Sequence, residues 1–296
     1  MPELPEVETI RLGLTKLIVG KTIKSVIFDW PKSFPNNAKD VDNFMIDSTI
    51  SGVRRRAKVL IMDLSTDYSL LTHLKMTGQL VYRSKNLNFG AGHPGASLVG
   101  QLPDKSTRIT ITFTDNAKLY FNDQRKFGWM KLLPTIEIDS IDFFKKLGPE
   151  PLSADFSWLT LKHRLSRRPN SVVKAVLLDQ SVIAGIGNIY ADEALWGAKI
   201  HPATPAKLLS DFKLKKLQAE ITYVLKLSIE KGGSSDRNYI NAEGKKGSYL
   251  SFARVFRREG LPCPRCDHII MKTRVAGRGT HYCPHCQVLK KLGSRI

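Results

Sequence analysis

The chain has 296 residues, and its 46 lysines and arginines against 27 aspartates and glutamates give a formal net charge of +19. A hydrophobic fraction of 42% and a charged fraction of 25% are those of a globular protein, which excludes a fully disordered chain. There is no apolar run of about 18 residues and the first segment, MPELPEVE, is acidic, so we expect a cytoplasmic protein without a membrane span or signal peptide. The excess positive charge indicates a polyanionic partner, usually nucleic acid, although ribosome-associated and membrane-surface proteins can share this composition.

The first predicted element is a helix with one buried face, because apolar residues recur at helical spacing from Val7 to Ile18. After it, Ile109, Ile111 and Phe113 alternate with polar residues, as in a half-buried strand. Similar β-branched or aromatic runs between turn residues predict a mainly antiparallel β region, at 22–29, 53–64, 69–82, 107–114 and 118–123. The segment 86–104 is rich in glycine and proline and is predicted to be a long surface loop.

The second half of the chain is predicted to be helical. A boundary is expected at 147–153, where prolines and a glycine interrupt the pattern, and the last long helical pattern ends at Gly232. The glycine turn in VIAGIGNIYADEAL would place backbone amides at a helix N-terminus, a site that accepts phosphate. We therefore predict three domains, at residues 1–150, 151–258 and 259–296.

All four cysteines lie near the C-terminus, in two CxxC pairs separated by sixteen residues. This is zinc-ribbon spacing, and a cytosolic chain does not favour disulfides. We predict one structural zinc ion that stabilises a hairpin with no core of its own. Its predicted ligands are Cys263, Cys266, Cys283 and Cys286, with His268, His281 and His285 close enough in sequence to replace a thiolate.

The residues between the two pairs predict a hairpin whose turn is Gly277-Arg278-Gly279. Arg278 would then project beyond the zinc core, where a rigid cation suits a phosphate contact. Most of the other cations in this region are expected to be solvated surface residues.

The amino terminus has its own chemistry. Pro2 follows Met1, and removal of Met1 would expose a secondary amine. An α-amino group has a pKa of about 7.7 to 8.0, against about 10.4 for lysine, so more of it is an unprotonated nucleophile at pH 7. Attack on the anomeric carbon of a nucleotide would expel the base and leave an iminium ion that acidifies the adjacent C–H. Glu3 could move protons and Glu6 could orient the amine or cap the helix, although acidic residues in a first turn often only complement the helix dipole.

Six ordered motifs resemble those of the bacterial formamidopyrimidine-DNA glycosylase family. They are PELPEVET at the start, RRRAK at 54–58, HLKMTG at 73–78, NDQRKFG at 122–128, GIGNIYADEAL at 185–195, and the CxxC pairs with GRGTHYCPHCQ. They are collinear over nearly the whole chain. The resemblance implies an α+β fold: an N-terminal helix with an antiparallel β-sandwich, a helix-two-turn-helix domain and a C-terminal zinc-finger β-hairpin.

The resemblance also implies an activity in base-excision repair. A bifunctional DNA glycosylase and AP lyase would remove oxidised purines, such as 8-oxoguanine and formamidopyrimidines, from double-stranded DNA. It would act through a Schiff base on Pro2 and cut the strand by β,δ-elimination. We expect it to act as a monomer.

Site residues follow from the resemblance by position. Pro2 matches the nucleophile, Glu3 the general acid and base, Glu6 a supporting carboxylate, and Lys58 a lysine that holds phosphate and assists elimination. The side chains implied to enter the duplex are Met76, Arg125 and Phe127. The other implied DNA contacts are His73, Asn188 and Arg278 at phosphates, Lys174 near the lesion, and Arg108, which stands where a histidine is frequent.

Two segments depart from the family pattern. Residues 86–108 are longer than usual, and Asp236, in the region that closes over the extruded base, stands where an apolar residue is common. The base preference is therefore left open by the sequence.

Three alternatives remain at this point. The sister family, endonuclease VIII, prefers oxidised pyrimidines, but Leu4 and the NDQRKFG motif favour the purine branch. A noncatalytic zinc-ribbon protein would bind DNA without forming a covalent adduct. A metal-dependent nuclease would lose its activity in EDTA.

Overall fold

The computed structural model describes residues 1–234 and 248–289. Its contacts divide the chain into two compact units. Unit 1 contains Met1–Lys145 and the described part of Ile229–Ser248, and unit 2 contains Lys146–Ser228 and the described part of Tyr249–Ile296. No helix within the described ranges is long and apolar enough to cross a membrane.

Unit 1 is built from two antiparallel sheets and a leading helix, α1 (Leu4–Ile18). Its short helices are α2 (Ala38–Asp40) and α3 (Asp142–Lys145). The strands are β1 (Ile23–Phe28), β2 (Ile50–Arg56), β3 (Val59–Leu64), β4 (Tyr68–His73), β5 (Gly78–Arg83), β6 (Asn88–Gly92), β7 (Thr107–Phe113), β8 (Lys118–Asp123) and β9 (Trp129–Pro134). One sheet has the order β1-β7-β8-β5-β6 and the other the order β2-β3-β4-β9.

The two sheets and α1 share one hydrophobic core, which confirms the predicted sandwich with its leading helix. Leu80 and Phe113 from the first sheet, Leu60 and Met62 from the second and Leu14 from α1 are all buried in this cluster. Helix α1 also contacts β2, β3 and β6. The inward side chains of both sheets are therefore removed from water together, which stabilises the unit.

The structure corrects three predictions for the strands. The run 53–64 is a hairpin rather than one strand, because the backbone turns at Ala57, whose φ is +54°. The run 69–82 is split between the two sheets, with 74–77 as the connection. The predicted surface loop 86–104 contains β6, in which Phe89 is buried against Gly13 of α1.

Unit 2 is mainly helical, as predicted. Its helices are α4 (Trp158–Ser166), α5 (Val173–Leu178), α6 (Asn188–Gly197), α7 (Asp211–Glu230) and α8 (Tyr249–Phe252). The Ser157 side chain caps α4 by accepting the N–H of Thr160. Buried residues of all five helices, among them Leu177, Tyr190 and Leu217, form one core. Helix α7 ends at Glu230, shortly before Gly232, whose φ of +75° lies in the left-handed region that often follows the end of a helix.

The C-terminal part of unit 2 is a two-stranded hairpin formed by β10 (Met271–Val275) and β11 (Arg278–Tyr282). Val275 pairs with Arg278, so the turn is Ala276-Gly277, with φ of +50° and +73°. These two left-handed residues match the twist of a tight hairpin. Arg278 therefore opens β11 rather than lying within the turn as predicted.

Candidate active site and DNA-contact residues

The chain start is buried in unit 1 directly before α1. Pro2, Glu3 and Glu6 are buried, whereas Met1 is 48% exposed. Glu6 Oε2 accepts the backbone N–H of Glu3 at 2.8 Å, which ties the start of the chain to the first helical turn. Glu6 thus has the helix-capping role predicted as one of its two alternatives.

Charged side chains surround the amino terminus. Burial lowers the pKa of the terminal amine, Glu3 and Glu6 act to raise it, and the positive charge of Lys58 acts to lower it further. Lys58 is itself buried and follows the left-handed Ala57 in the turn between β2 and β3. The structure therefore places Pro2, the predicted nucleophile, in one site with two carboxylates of its own segment and a lysine of another.

Glu6 also holds the segment that follows α7. Its Oε1 accepts the backbone N–H and the hydroxyl of Ser234, each at 2.8 Å. This contact places the chain beyond Gly233 beside the amino terminus. The predicted departure at Asp236 lies outside the described residues.

His73, at the end of β4, is buried and neutral. The backbone N–H of Lys75 donates to its Nδ1 at 3.0 Å, so the ring proton lies on Nε2. Burial lowers the pKa of His73 to about 3, with further lowering by the charges of Lys75 and Lys58. A phosphate contact by His73 would therefore use a neutral N–H donor rather than a positive charge.

The three predicted intercalating side chains lie on two loops of unit 1. Met76 lies between β4 and β5, and Arg125 and Phe127 lie between β8 and β9. All three side chains are exposed, Phe127 by 53%, and the Arg125 guanidinium lies 4.8 Å from the centre of the Phe127 ring. Because the Met and Phe side chains are exposed, they do not belong to the hydrophobic core, and core packing does not explain their presence in these motifs.

Asp123 organises both loops, and the sequence did not single it out as a site residue. Its buried carboxylate accepts the backbone N–H groups of Arg125 at 3.2 Å, Phe127 at 2.8 Å and Gly128 at 2.6 Å. It also accepts the hydroxyl of Thr77, the residue after Met76. A Cβ on Gly128 would lie 2.6 Å from the Phe121 ring and 3.1 Å from the same carboxylate, so this position favours glycine. The position of Asp123, directly before the QRKFG turn, was the sequence feature that could have indicated this role.

In unit 2, the start of α6 is tied to the hairpin that carries Arg278. The Asn188 side chain donates to the carbonyl of Gly279 at 3.0 Å, and Arg278, beside that carbonyl, is exposed. The structure thus places two of the predicted phosphate contacts next to one another. Arg278 and the start of α6 therefore lie on the same part of unit 2.

Lys174 was predicted to contact DNA near the lesion, but it is fully buried. Its ammonium lies 2.6 Å from Asp192 Oδ1 and donates to Thr280 Oγ1 at 2.7 Å and to Gly279 O at 3.0 Å. These partners join α5 and α6 to β11. Lys174 is therefore a positioning residue for the Arg278 hairpin and does not reach DNA itself.

Arg108 is also removed from the set of DNA contacts. It lies in β7, is 4% exposed, and donates to the carbonyls of Lys105 and Ser106 and to the carboxylate of Asp29. Its guanidinium binds the end of its own sheet, because a buried charge needs an opposite charge or hydrogen-bond acceptors.

The four cysteines form one cluster. Their sulfurs lie within 4.8 Å of one another, with 3.5 Å between Cys266 and Cys283 and 4.0 Å between Cys263 and Cys286. In a tetrahedral zinc site with Zn–S distances near 2.3 Å, sulfurs are about 3.8 Å apart, so these separations are close to those of a zinc site.

The thiol pKa values also fit a cation at this site. Burial would raise the pKa of Cys263, but hydrogen bonds from the Arg265 backbone and the Trp196 indole N–H prevail and lower it to about 7. Burial and the neighbouring thiolates raise the pKa of Cys286 to about 12. Four thiolates can therefore be charged together only when a cation compensates them, as structural zinc does.

Comparison with protein-family models identifies all three parts of the chain. Residues 1–130 match the formamidopyrimidine-DNA glycosylase N-terminal domain, residues 147–239 the H2TH domain of that enzyme, and residues 260–288 the zinc finger found in FPG and IleRS. The chain belongs to the formamidopyrimidine-DNA glycosylase family. The predicted recognition, fold class and single structural zinc are thereby confirmed.

Individual family members are similar over almost their full lengths. The chain is 42% identical over 291 residues to the formamidopyrimidine-DNA glycosylase of Enterococcus faecalis, with 98% of each chain covered. It is 35% identical to a Lactococcus lactis FPG mutant bound to Fapy-dG containing DNA, with a TM-score of 0.85. A structure of MutM with carbocyclic 8-oxo-G containing DNA gives 35% identity and a TM-score of 0.84. Each structure covers 97% of this chain, and each of those chains is covered completely.

Proposed function

We propose that this chain removes oxidised purines from double-stranded DNA and then cuts the strand, as a bifunctional DNA glycosylase and AP lyase. The observation that carries the proposal is the buried cluster of Pro2, Glu3, Glu6 and Lys58 at the chain start, in a member of the formamidopyrimidine-DNA glycosylase family. Two solved relatives bind DNA that contains Fapy-dG or carbocyclic 8-oxo-G, which supports oxidised purines as substrates.

Base removal begins once Met1 is absent and Pro2 has a secondary amine. The amine nitrogen bonds to the anomeric carbon of the damaged nucleotide, and the bond from that carbon to the base breaks. The base leaves with the bonding electron pair and takes up a proton. The Pro2 nitrogen loses its proton to Glu3, a proton passes to the sugar ring oxygen, and the bond from the anomeric carbon to that oxygen breaks. The product is an iminium Schiff base on Pro2 that carries no N–H.

Strand cleavage follows from the positive charge of the Schiff base. It acidifies the adjacent sugar C–H, and loss of that proton expels the 3′ phosphate with its electron pair. A second proton loss further along the sugar expels the 5′ phosphate. Lys58, buried beside the amine, stabilises the negative charge of a departing phosphate.

The exposed loops of unit 1 perform the extrusion of the base. Removal of a nucleotide from the stack costs a few kcal/mol, which an inserted aromatic side chain and an arginine facing the orphaned base can offset. Phe127 and Met76 supply the apolar wedge, and Arg125 the polar group. Asp123 holds them in place through the hydrogen bonds of both loops.

Phosphate binding is assigned to His73, Lys58, Asn188 and Arg278. The first two belong to unit 1 and the last two to unit 2, so each unit contributes to DNA affinity. We further propose a cytoplasmic location in association with chromosomal DNA, because the substrate is DNA and the four thiols suit a reducing compartment.

Borohydride trapping on a duplex with one 8-oxoguanine tests the function. The mature protein should form a covalent adduct, and peptide mapping should place it on Pro2. A form with extra residues before Pro2 is the matched control, since it should bind the duplex but form no adduct. If the mature protein gives no crosslink, the catalytic proposal is wrong and a noncatalytic DNA-binding protein is favoured.

Two further assays separate the remaining alternatives. Stronger cleavage of an oxidised pyrimidine than of 8-oxoguanine would favour an endonuclease VIII-like preference. Cleavage that disappears in EDTA while the protein keeps its zinc would favour a metal-dependent nuclease.

A further inference from the structure

Two exposed histidines lie against each other beside the zinc-binding thiols. The rings of His268 and His285 are stacked, with centroids 4.0 Å apart and planes inclined by 10°. The Cys266 sulfur and a ring nitrogen of each histidine all lie within 4.8 Å of one another. The four-thiolate site accounts for Cys266 but leaves both imidazoles without a role.

The hydrogen bonding of His268 prepares it to bind a metal ion. Its Nδ1 lies 3.0 Å from the carbonyl oxygen of Cys266. Because a carbonyl only accepts, Nδ1 carries the proton and the lone pair lies on Nε2. Metal-binding histidines usually have this second hydrogen bond, which fixes the tautomer and the orientation of the ring.

The charge around the pair favours a second cation. Four thiolates and one zinc ion have a net charge of −2, and Asp267 adds a carboxylate between Cys266 and His268 in the chain. Cys266, like Cys286, is only half-buried, whereas Cys263 and Cys283 are buried. Imidazole and thiolate together suit zinc and similar borderline ions rather than magnesium or calcium.

The dimensions are close to those of a coordinated ion. Ligands at about 2.0 to 2.3 Å from a tetrahedral ion lie roughly 3.3 to 3.8 Å apart. The three ligand atoms already lie within 4.8 Å of one another, so small rotations of the two exposed histidine side chains would reach these separations. We propose that His268, His285 and a bridging Cys266 form a second, exchangeable site for a zinc-class divalent cation, next to the structural zinc.

His281 is not part of this site, although the sequence made it a candidate ligand. It is buried, its backbone N–H donates to Asp192, and its ring lies 3.4 Å from Asp192 and 3.2 Å from Glu259. The second site therefore depends on the two histidines outside the hairpin strands, His268 and His285.

Titration of the zinc-loaded full chain with Co²⁺ tests the proposal. We expect one equivalent of cobalt to bind while the zinc content stays at one per chain. Because Cys266 would bridge the two ions, bound cobalt should show a thiolate-to-cobalt charge-transfer band. Dialysis with metal analysis gives both stoichiometries.

Matched variants locate the binding. His268→Ala and His285→Ala should each weaken cobalt binding by about tenfold or more, since each removes a ligand. His163→Ala removes an exposed histidine of α4 in the same unit and should leave cobalt binding unchanged. Retention of one zinc per chain and of cobalt-free DNA cleavage shows that each variant is folded.

Four outcomes would overturn the proposal. They are no second equivalent, cobalt that only replaces the zinc, an affinity that survives both histidine substitutions, and a second equivalent without the charge-transfer band. The last outcome removes the bridging thiolate specifically. None of these results affects the proposed glycosylase function, which the Pro2 adduct tests separately.

Discussion

The two units bury charge in different ways. At the start of unit 1, Glu6 binds a backbone N–H of Glu3 and two donors of Ser234, in the site that also influences the pKa of the terminal amine. In unit 2, Lys174 and Asp192 neutralise each other at 2.6 Å with neither side chain exposed. Buried charge therefore has two roles in this molecule. In unit 1 it surrounds the proposed nucleophile, and in unit 2 it holds secondary structure elements together.

The largest expected effect is on the rate of base excision, after substitution of Glu3 in the chain-start cluster of unit 1. Glu3→Gln keeps the shape of the side chain but cannot exchange a proton, so excision of 8-oxoguanine should fall by about 10² to 10⁴-fold. Cleavage at a preformed abasic site should be reduced far less, because the base has already left. Single-turnover rates on the two duplexes measure both steps.

Glu8→Gln is the control for that substitution. Glu8 lies in α1, which begins directly after Glu3, and is paired with Arg11 and Arg55, so Glu8→Gln should leave both rates near those of the unmodified protein. Equal losses in the two variants would mean that Glu3 acts only through the stability of α1.

The positioning side of the comparison predicts a loss of stability. Lys174→Met leaves the Asp192 carboxylate buried without its cation, which should lower the free energy of unfolding by about 3 to 5 kcal/mol. Denaturant unfolding measures this change, and the double variant Lys174→Met with Asp192→Asn should recover part of it.

Lys162→Met is the matched control, since its ion pair with Asp211 is about half exposed. Its effect should be no more than about 1 kcal/mol. A small effect of Lys174→Met, similar to that of the control, would contradict the positioning role.

His73 gives the pH dependence. Its folded pKa of about 3 lies below the ordinary value of 6.5, so below pH 6.5 the unfolded chain takes up a proton that the folded protein does not. The contribution of His73 to the free energy of unfolding is therefore complete above pH 6.5 and decreases as the pH falls from 6.5 to about 3. By pH 5 about 2 kcal/mol of it is lost. Unfolding at pH 7 and pH 5 should show this loss diminished in His73→Gln and retained in His163→Gln.

Arg278 is predicted to have the smallest effect. Arg278→Ala removes one exposed cation from the hairpin, so DNA binding should weaken and the slope of log affinity against log salt should decrease by about one unit. His73→Gln should leave that slope unchanged, because His73 is neutral. A salt slope that Arg278→Ala does not alter would remove this residue from the phosphate contacts.

Local patterns were enough to predict the helix α1, the strand β7 and the zinc site. In each of them the residue spacing alone sets the geometry, whether as one buried face, alternation or a pair of CxxC motifs. The strand β6 was missed because its glycines resemble a loop, while the burial of Phe89 against α1 depends on distant parts of the chain.

The site residues show the same limit. The resemblance located the chain-start cluster and the exposed loops, but it could not show that Lys174 and Arg108 lie inside the protein. The identity of a residue as lysine or arginine does not indicate whether its side chain faces solvent or pairs with a carboxylate inside the protein. Asp123 was passed over for the opposite reason, since a short polar residue in a turn has no distinctive pattern until its four donors are seen.

The carboxylate of Asp123 joins two loops, so that they are expected to move together. Thr77 of one loop and the backbone of Arg125 and Phe127 in the other all donate to it. A change in either loop is therefore transmitted to the other. The proposed apolar wedge and Arg125 would then enter or leave the stacked bases of the DNA together. In a mutational scan that measures only lesion removal, Asp123 would resemble a DNA-contact residue, although its side chain is buried and only positions the residues proposed to contact DNA.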